Sequence, residues 1–416
     1  MKIKDVILTK SYTGFYFDDQ KAIKQGAGHD GFMYLGEAVT EGFTAIRQAG
    51  EAISIQLILE DGSVALGDCA AVQYSGAGGR DPLFIAEEFI PFLEKHIVPE
   101  LIGQDVSKFR PLAEKIDTMV VEGKRLHTAI RYGLSQAILN ATATARRITM
   151  AEVIRNEYDV EGDVYDPIPV FTQSGDDRHD NADKMIIKQA DVLPHALINN
   201  VETKLGKNGE ILLEYIGWLR DRILKYRTRE DYSPVFHMDV YGTIGLAFDY
   251  DVDKMFNYLL KCEETAKPFR IRIEGPIDTG DREGTLKYEK ILTSMLNEAG
   301  SKLEIVADEW CNTLEDIKLF ADEGAGHVLQ IKTPDLGGVN NVAEAIIYCN
   351  KKGVGSYCGG TCNETDQSAK TTTNIAIACR AIQCLAKPGM GVDEGYMIVK
   401  NEMNRVVAAA NRRAKK

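Results

Sequence analysis

The second half of the chain has a pattern that few folds can accommodate. From Pro167 onward, short apolar segments, most of which end in polar residues, alternate with longer stretches of helical periodicity. Such alternation is typical of repeated βα units and a parallel sheet. Eight segments are interpreted as strands: IPVFTQ, MIIKQ, VFHMDV, RIRIEG, LEIVADE, HVLQIK, GSYCGG and AIQCLAKPG. Eight is the number of strands that a closed (β/α)8 barrel of the TIM type requires.

The residues before this region predict a different architecture. ISIQLILEDGSVALGDCAAV alternates apolar and polar residues around a turn at Asp61 and Gly62, which indicates a β-hairpin. Two helical patterns follow, FIAEEFIPFLEKHIVPELIG and HTAIRYGLSQAILNATATARR. The 416 residues suit a small domain plus a barrel of about 250 residues. We therefore predict an α/β protein with an N-terminal α+β domain at residues 1–160 and the barrel at residues 161–416.

Charge and composition exclude several classes of protein. A net charge of −13 argues against nucleic-acid binding, which needs a basic surface. No uninterrupted apolar run approaches the roughly 18 residues of a membrane helix. The N-terminus, MKIKDVILTKSYTG, lacks the features of a signal peptide, and eight unclustered cysteines fit reduced thiols. We expect a cytoplasmic protein without nucleic-acid or membrane partners.

Three consecutive predicted strands each end in a carboxylate. VFHMD ends in Asp239, RIRIE in Glu274 and LEIVAD in Asp308, at intervals of 35 and 34 residues. Reactive residues of such barrels lie at the C-terminal ends of the strands, so these carboxylates should converge at the barrel mouth. A single acidic residue there is more often a helix N-cap, but three repelling carboxylates favour a bound cation. Oxygen ligands alone predict magnesium or manganese rather than zinc.

The next predicted strand, HVLQIK, ends in Lys332. A lysine beside a divalent cation has its charged form disfavoured, so its pKa should fall toward the range of a general base. The alternative is a lysine that only forms an ion pair with one of the carboxylates. The residues alone leave both interpretations open.

A second group suited to proton transfer follows the second predicted strand. In ADVLPHAL, His195 should lie across the barrel mouth from a residue that ends strand six. An isolated histidine after a proline is often only a packed or capping residue, so this assignment is also open. A metal between two such groups suits removal of a proton alpha to a carboxylate, because the cation stabilises the charge that develops. Loss of a group from the adjacent carbon would complete an elimination, but these residues do not identify that group.

Longer motifs carry a resemblance to a known family. The three carboxylates followed by Lys332 one strand later resemble the ligand series of the enolase superfamily. The stretches TGFYFDDQKAIKQGAGHDGF, GDCAAVQYSGAGGRDPLF, DVYGTIG, VADEWCN, QIKTPDLGGVNN, YCGGTCNETD and AKPGMGVDEG are similar to those of the methylaspartate ammonia-lyase family in particular. The resemblance covers essentially the whole chain, and it implies an enolase-like fold in which the N-terminal domain caps the barrel.

The resemblance also implies an activity. It implies a carbon-nitrogen lyase that converts 3-methylaspartate to mesaconate and ammonia in glutamate degradation, with Mg2+ required, K+ as an activating ion and a homodimeric assembly. By this likeness Lys332 would take the C3 proton of the (2S,3S) substrate, and His195 would act on the opposite face for the (2S,3R) diastereomer.

Further substrate contacts are implied residue by residue. Gln330 and His195 would contact the metal-bound carboxylate, and Gln73 from the N-terminal domain would approach the amino group. Three residues would hold the other carboxylate: Gln173, Thr361 and Cys362. Because Gln330 precedes Lys332 by two residues on a strand, both side chains should point into the mouth.

Other functions remain compatible with the pattern. Another enolase-superfamily enzyme that removes water or epimerises a carboxylate substrate would use the same metal and bases. By the same resemblance, racemase-like and cycloisomerase-like members of the superfamily would have a Lys-x-Lys motif at the end of strand two. MIIKQ does not contain this motif, which argues against these two activities. A catalytically dead barrel used for binding would be favoured by loss of a ligand or of Lys332, yet all are present.

Overall fold

The computed structural model describes residues 1–77, 79–162 and 164–415. The N-terminal region is built on a three-stranded antiparallel sheet in the order β1-β4-β5, with a two-stranded β2-β3 sheet beside it. These elements are β1 (Ile3–Asp18), α1 (Gln20–Lys24), β2 (His29–Asp30), β3 (Met33–Tyr34), β4 (Arg47–Leu59) and β5 (Val64–Ala70). The predicted hairpin is therefore confirmed, and Gly62 adopts a φ of 83° in its turn.

Helices cover one face of this sheet. They and a second small hairpin are α2 (Ala86–His96), α3 (Val98–Leu101), α4 (Arg110–Asp117), β6 (Val120–Val121), β7 (Lys124–Arg125), α5 (Thr128–Arg146) and α6 (Met150–Glu157). Helix α5 approaches β5 so closely that a Cβ on Gly67 would lie 2.3 Å from the carbonyl oxygen of Gly133. Only glycine permits this contact between helix and strand.

The C-terminal region is a closed barrel of eight parallel strands, as predicted. The strands are β8 (Val170–Phe171), β9 (Val192–His195), β10 (Val235–Asp239), β11 (Ile271–Glu274), β12 (Glu304–Ala307), β13 (Val328–Ile331), β14 (Gly355–Cys358) and β15 (Gln383–Leu385). The barrel closes where β15 pairs with β8. Side chains from the strands form a buried cluster of their own: Phe171, Val192, Val306, Val328, Tyr357 and Leu385.

Helices follow the strands around the barrel. They are α7 (Arg178–Lys188), a π-helix (Val201–Leu205), α8 (Glu210–Tyr226), α9 (Thr243–Ala247), α10 (Val252–Ala266), α11 (Arg282–Glu298), α12 (Leu314–Glu323), α13 (Val339–Lys352), α14 (Asp366–Cys379) and α15 (Glu394–Ala414). No helix within the described ranges is long and apolar enough to cross a membrane.

One predicted strand was wrong. MIIKQ forms the C-terminal end of α7 and the residue after it, and the second strand is VLPH, at Val192–His195. Met185 and Ile186 are buried together with Ala182, at helical spacing, whereas Ile187 is 79% exposed. A run of three apolar residues does not by itself distinguish a helix from a strand. Pro194 within VLPH is unusual in a strand, and this masked the true segment.

Candidate active site

Three buried carboxylates converge at the C-terminal end of the barrel. Asp239 and Glu274 are the last residues of β10 and β11 and are register partners, and Asp308 directly follows β12. One carboxylate oxygen from each lies within 4.8 Å of the others. Since Mg2+ binds oxygen at about 2.0–2.1 Å, one ion could contact all three. The structure thus brings together the ligand set that the strand ends predict.

The electrostatics of this cluster show a shortage of positive charge. Burial raises the pKa of Glu274 well above its usual range, and the charges of Asp239 and Asp308 add to the effect. Burial likewise raises the pKa of Asp308 to about 7, against an opposing contribution from Lys332. A divalent cation would remove this repulsion, so the donor set fits Mg2+.

Two side chains suited to proton transfer, Lys332 and His195, contact the carboxylates. Lys332 Nζ is 2.8 Å from Asp308 Oδ1, and His195 Nε2 is 3.2 Å from Asp239 Oδ2. Burial lowers the pKa of Lys332, but the charges of Asp308 and Glu309 outweigh it and hold the pKa above its ordinary value. Lys332 is therefore ion-paired with Asp308 when no cation is considered. The lowered pKa of Lys332 beside a bound cation stays a prediction.

The backbone at His195 has an uncommon conformation. His195, Ala196 and Leu197 have φ values of 69°, 71° and 50°, three consecutive non-glycine residues in the left-handed region. Such conformations cost energy and are concentrated at functional sites. They turn the chain immediately after β9, where the imidazole faces Asp239.

A chain of hydrogen bonds supports Glu274 from below. Its two oxygens accept from Gln330 Nε2 at 2.8 Å and from His237 Nε2 at 2.7 Å. Nδ1 of His237 lies 2.9 Å from Gln383 Nε2, and Gln383 Oε1 accepts from Arg272. Because arginine only donates, each link is fixed in direction and His237 must donate to Glu274 through Nε2. The barrel core thus orients this carboxylate.

Sequence reasoning missed the members of this chain. His237 precedes Asp239 by two residues, and Arg272 precedes Glu274 by two. That spacing places each on the same inward face as the carboxylate after it. The alternation of the strand was the available signal.

The remaining predicted residues line the opposite side of the same cavity. Cys362 Sγ donates to Gln73 Oε1 at 3.1 Å, which joins the barrel to the N-terminal domain. Gln173 Nε2 donates weakly to two backbone carbonyls, at 3.3 and 3.4 Å. The cavity holds about 350 Å³ and is lined by these residues and by Thr361. Its other side is lined by His195, Asp239, Asp308, Gln330 and Lys332. Its size suits a small dicarboxylic acid.

Two buried polar atoms in the cavity lining have no hydrogen-bond partner within the described part of the chain. His195 Nδ1 and Gln330 Oε1 are buried and have no hydrogen-bond partner among the described residues. Buried polar atoms are normally satisfied, by protein, water or a ligand. Both side chains are among those that the sequence resemblance assigns to a substrate carboxylate, which would accept from their N–H groups and would not pair with Gln330 Oε1.

A fully buried ion pair lies beneath the loop that carries Thr361 and Cys362. Lys387 Nζ contacts Glu364 Oε1 at 2.9 Å and also donates to Thr333 Oγ1 and to the Gly359 carbonyl. Glu364 Oε1 accepts from the Thr361 backbone N–H at 3.1 Å. Its Oε2 accepts from the hydroxyl of Tyr132, on α5, at 2.7 Å. This cluster fixes the loop against both the barrel and the N-terminal domain.

Comparison with known proteins gives matches along the whole chain. The family model described as methylaspartate ammonia-lyase N-terminus matches residues 1–159, and the one described as methylaspartate ammonia-lyase C-terminus matches residues 163–412. The methylaspartate ammonia-lyase of Clostridium tetanomorphum is 65% identical over 413 residues, which cover 99% of this chain and 100% of that protein.

Solved structures agree with these matches. The crystal structure of the Clostridium tetanomorphum β-methylaspartase Mg complex superposes with a TM-score of 0.97, over 99% of this chain and 100% of that one. The Citrobacter amalonaticus methylaspartate ammonia-lyase, crystallised with (2S,3S)-3-methylaspartic acid, is 56% identical with a TM-score of 0.96, over 98% and 99% of the two chains. Muconate lactonizing enzyme from Pseudomonas fluorescens, 18% identical with a TM-score of 0.58 over 90% of this chain and 84% of that one, shares the fold.

Proposed function

The chain belongs to the methylaspartate ammonia-lyase family, and from that membership we propose that it eliminates ammonia from (2S,3S)-3-methylaspartate to give mesaconate. One observation carries the proposal beyond similarity. The three clustered carboxylates Asp239, Glu274 and Asp308 have Lys332 on one side and His195 on the other, all at one end of the barrel. This is the arrangement that removal of a proton next to a carboxylate requires.

The three carboxylates would hold Mg2+, the ion named for the Clostridium tetanomorphum complex. When bound, Mg2+ supplies positive charge beside the substrate carboxylate, where negative charge accumulates as the C3 proton leaves. The hydrogen bonds from Gln330 and His237 hold Glu274 in place for this task. Such support of a ligand raises metal affinity.

Lys332 would take the proton from C3 of the (2S,3S) substrate. The electron pair of the C3–H bond then forms the double bond between C2 and C3, and the C2–N bond breaks to release ammonia. Lys332 must be uncharged to accept the proton, so its charged neighbours Asp308 and Glu309 need compensation by the cation. His195, across the carboxylates, would act on the opposite face for the (2S,3R) diastereomer.

The cavity lining would position the two carboxylates and the amine of the substrate. Gln330 and His195 line the cavity beside the carboxylates and would contact the carboxylate next to C3 through their N–H groups, because that carboxylate can only accept. On the other side three residues would hold the second carboxylate: Gln173, Thr361 and Cys362. Gln73 lies beside Cys362 and would face the amino group.

Four further features belong to the same proposal. K+ would act as an activating ion, two chains would form a homodimer, and the enzyme would work in the cytoplasm in the degradation of glutamate. The division into an N-terminal capping domain, 1–160, and a barrel, 161–416, is supported by family models that end at residue 159 and begin at residue 163.

The test is to incubate the protein with (2S,3S)-3-methylaspartate and Mg2+ and follow the ultraviolet absorbance of the unsaturated diacid. Ammonia should be released in equal amount, and a chelator should abolish both signals. Absence of product with Mg2+ present would reject the proposal. An unsaturated acid formed from a hydroxy acid, or epimerised substrate without ammonia, would instead indicate a dehydratase or an epimerase.

A further inference from the structure

Asp18, the last residue of β1, contacts the side chain that would face the substrate amine. Its Oδ2 accepts a hydrogen bond from Gln73 Nε2 at 2.7 Å, and only 1% of the residue is exposed. We infer that Asp18 is a positioning residue that fixes the amide of Gln73 with its carbonyl oxygen toward the amine. The inference rests on the proposed function, because it concerns the amine of that substrate.

The orientation of the Gln73 amide follows from which atoms can donate a hydrogen bond. A glutamine amide has nearly the same shape after a 180° flip, but one end accepts and the other donates. The carboxylate of Asp18 only accepts, so Nε2 of Gln73 must face it. Oε1 is thereby turned toward Cys362, whose Sγ lies 3.1 Å away, in the lining of the cavity.

This orientation is the one that an ammonium group needs. An ammonium has only donors, so it binds the oxygen of Gln73 and is repelled by a flipped amide that presents its N–H groups. Uncharged ammonia leaving from C2 also donates to the same oxygen. Asp18 would therefore determine whether Gln73 attracts or repels the amine.

Asp18 is itself held firmly. Arg47 donates to both carboxylate oxygens of Asp18, from Nε to Oδ1 and from Nη2 to Oδ2, each at 2.7 Å. Paired donors of this kind fix both the position and the plane of a carboxylate. The backbone N–H of Asp18 also donates to the Gln73 carbonyl at 3.1 Å, so Gln73 is held at its main chain and at its side chain.

The guanidinium of Arg47 connects this unit to the segment above the cavity. It lies over the rings of Phe32 and Tyr34, at 4.3 and 4.8 Å from their centroids. Both rings line the cavity that contains Gln73. Asp18 therefore has a second possible role, in which it anchors this segment through Arg47. The experiment must separate this role from the positioning of Gln73.

The first variant is Asp18→Ala in the full chain with Mg2+. We expect the KM for ammonia in the addition of ammonia to mesaconate to rise about tenfold or more, since hydrogen bonds to charged groups have effects of this size. The dissociation constant for Mg2+ should stay the same. The matched control is Asp183→Ala, because Asp183 forms the same paired contact with Arg222 away from the cavity. An unchanged KM for ammonia in Asp18→Ala would overturn the inference.

A reciprocal exchange separates positioning from anchoring. Gln73→Glu alone places two carboxylates at hydrogen-bond distance and should lower kcat/KM. Adding Asp18→Asn gives the new glutamate a donor and leaves an acceptor toward the amine. It removes the acceptor of one Arg47 N–H group but keeps the oxygen that accepts from Arg47 Nε, so kcat/KM should recover at least about tenfold relative to Gln73→Glu. If Asp18 served only to anchor Arg47, the second substitution would lower activity further.

The outcomes for the two proposals are distinct. A wild-type chain that forms no mesaconate would reject the proposed function and the inference together. An active wild-type chain whose double variant is no better than Gln73→Glu would reject the inference alone. The double variant Gln73→Glu with Asp18→Asn keeps the net charge and the side-chain sizes of the wild type. It therefore still tests the inference if Asp18→Ala does not fold.

Discussion

The two sides of the cavity are built in different ways. On the metal side, Asp239, Glu274 and Asp308 stand at the ends of adjacent strands, and Lys332 follows on the next one. On the loop side, Thr361 and Cys362 lie on a loop after β14, and Cys362 contacts Gln73 from the N-terminal domain. Sheet hydrogen bonds fix the first set, whereas the second depends on contacts between distant parts of the chain.

The loop side lacks sheet hydrogen bonds and is fixed by a buried ion pair instead. Lys387 and Glu364 are both fully buried, and Glu364 is bonded to Tyr132, which is 232 residues away in sequence. A buried ion pair requires nearly complete hydrogen bonding to offset its loss of hydration. Parallel strands provide position without such a cluster. We expect damage on the metal side to affect chemistry and ion binding, and damage on the loop side to affect stability and substrate binding.

The largest effect is expected from Lys332→Ala. It should lower kcat for (2S,3S)-3-methylaspartate by about 10²- to 10⁴-fold, the usual contribution of a general base, while His195→Ala should affect the (2S,3R) diastereomer more. The measurement is kcat for each diastereomer with each variant. Equal loss toward both diastereomers in Lys332→Ala would contradict the assignment of opposite faces.

The second prediction concerns the loop side. Lys387→Met leaves Glu364 buried without its partner and should lower the free energy of unfolding by about 3–5 kcal/mol. Denaturant unfolding measures this change. Combination with Glu364→Gln should recover part of the loss. Lys400→Met is the matched control, because its pair with Asp191 is partly exposed and should contribute about 1 kcal/mol or less. A similar loss in both lysine variants would remove the distinction between the sides.

The same difference explains what the sequence could predict. The meeting of Asp239, Glu274, Asp308 and Lys332 at one end of the barrel was predicted from residues alone, because the ends of consecutive strands must meet in a closed barrel. The second strand was assigned to MIIKQ, which is helical. The prediction that His195 lies at the exit of the second strand nevertheless agrees with the structure, because β9 ends at His195.

The support beneath these residues could not be predicted in the same way. His237 and Gln383 are indistinguishable in sequence from ordinary polar residues, and their pairing depends on β10 and β15, which are three positions apart around the closed barrel. Lys387 and Tyr132 meet Glu364 only after two regions of the chain have packed together. Strand alternation indicates that His237 faces into the barrel, but no local pattern identifies the residue that it contacts. The resemblance to a family supplied the loop residues, but not the reasons for their position.

The third prediction returns to the metal side. Asp308→Asn should raise the dissociation constant for Mg2+ by at least about 10- to 100-fold, the loss that follows even from removing the support of a ligand. Calorimetric titration measures it. Glu309→Gln is the comparison, because it removes a neighbouring charge but none of the three clustered carboxylates, so it should raise the dissociation constant less than Asp308→Asn does. Full Mg2+ affinity in Asp308→Asn would require a different ligand set.

The smallest expected effect comes from Tyr132→Phe, which removes one hydroxyl from the loop side. Glu364 would lose a 2.7 Å hydrogen bond but keep Lys387, so the free energy of unfolding should fall by about 1.5 kcal/mol. Tyr232→Phe is the control, since its buried hydroxyl donates to the Ala190 carbonyl outside the cavity. Only Tyr132→Phe should also raise the KM for 3-methylaspartate, with Mg2+ affinity unchanged, because Glu364 holds the Thr361 loop. A change in Mg2+ affinity with no change in KM would mean that α5 acts on the metal side, and the two sides would then not be independent.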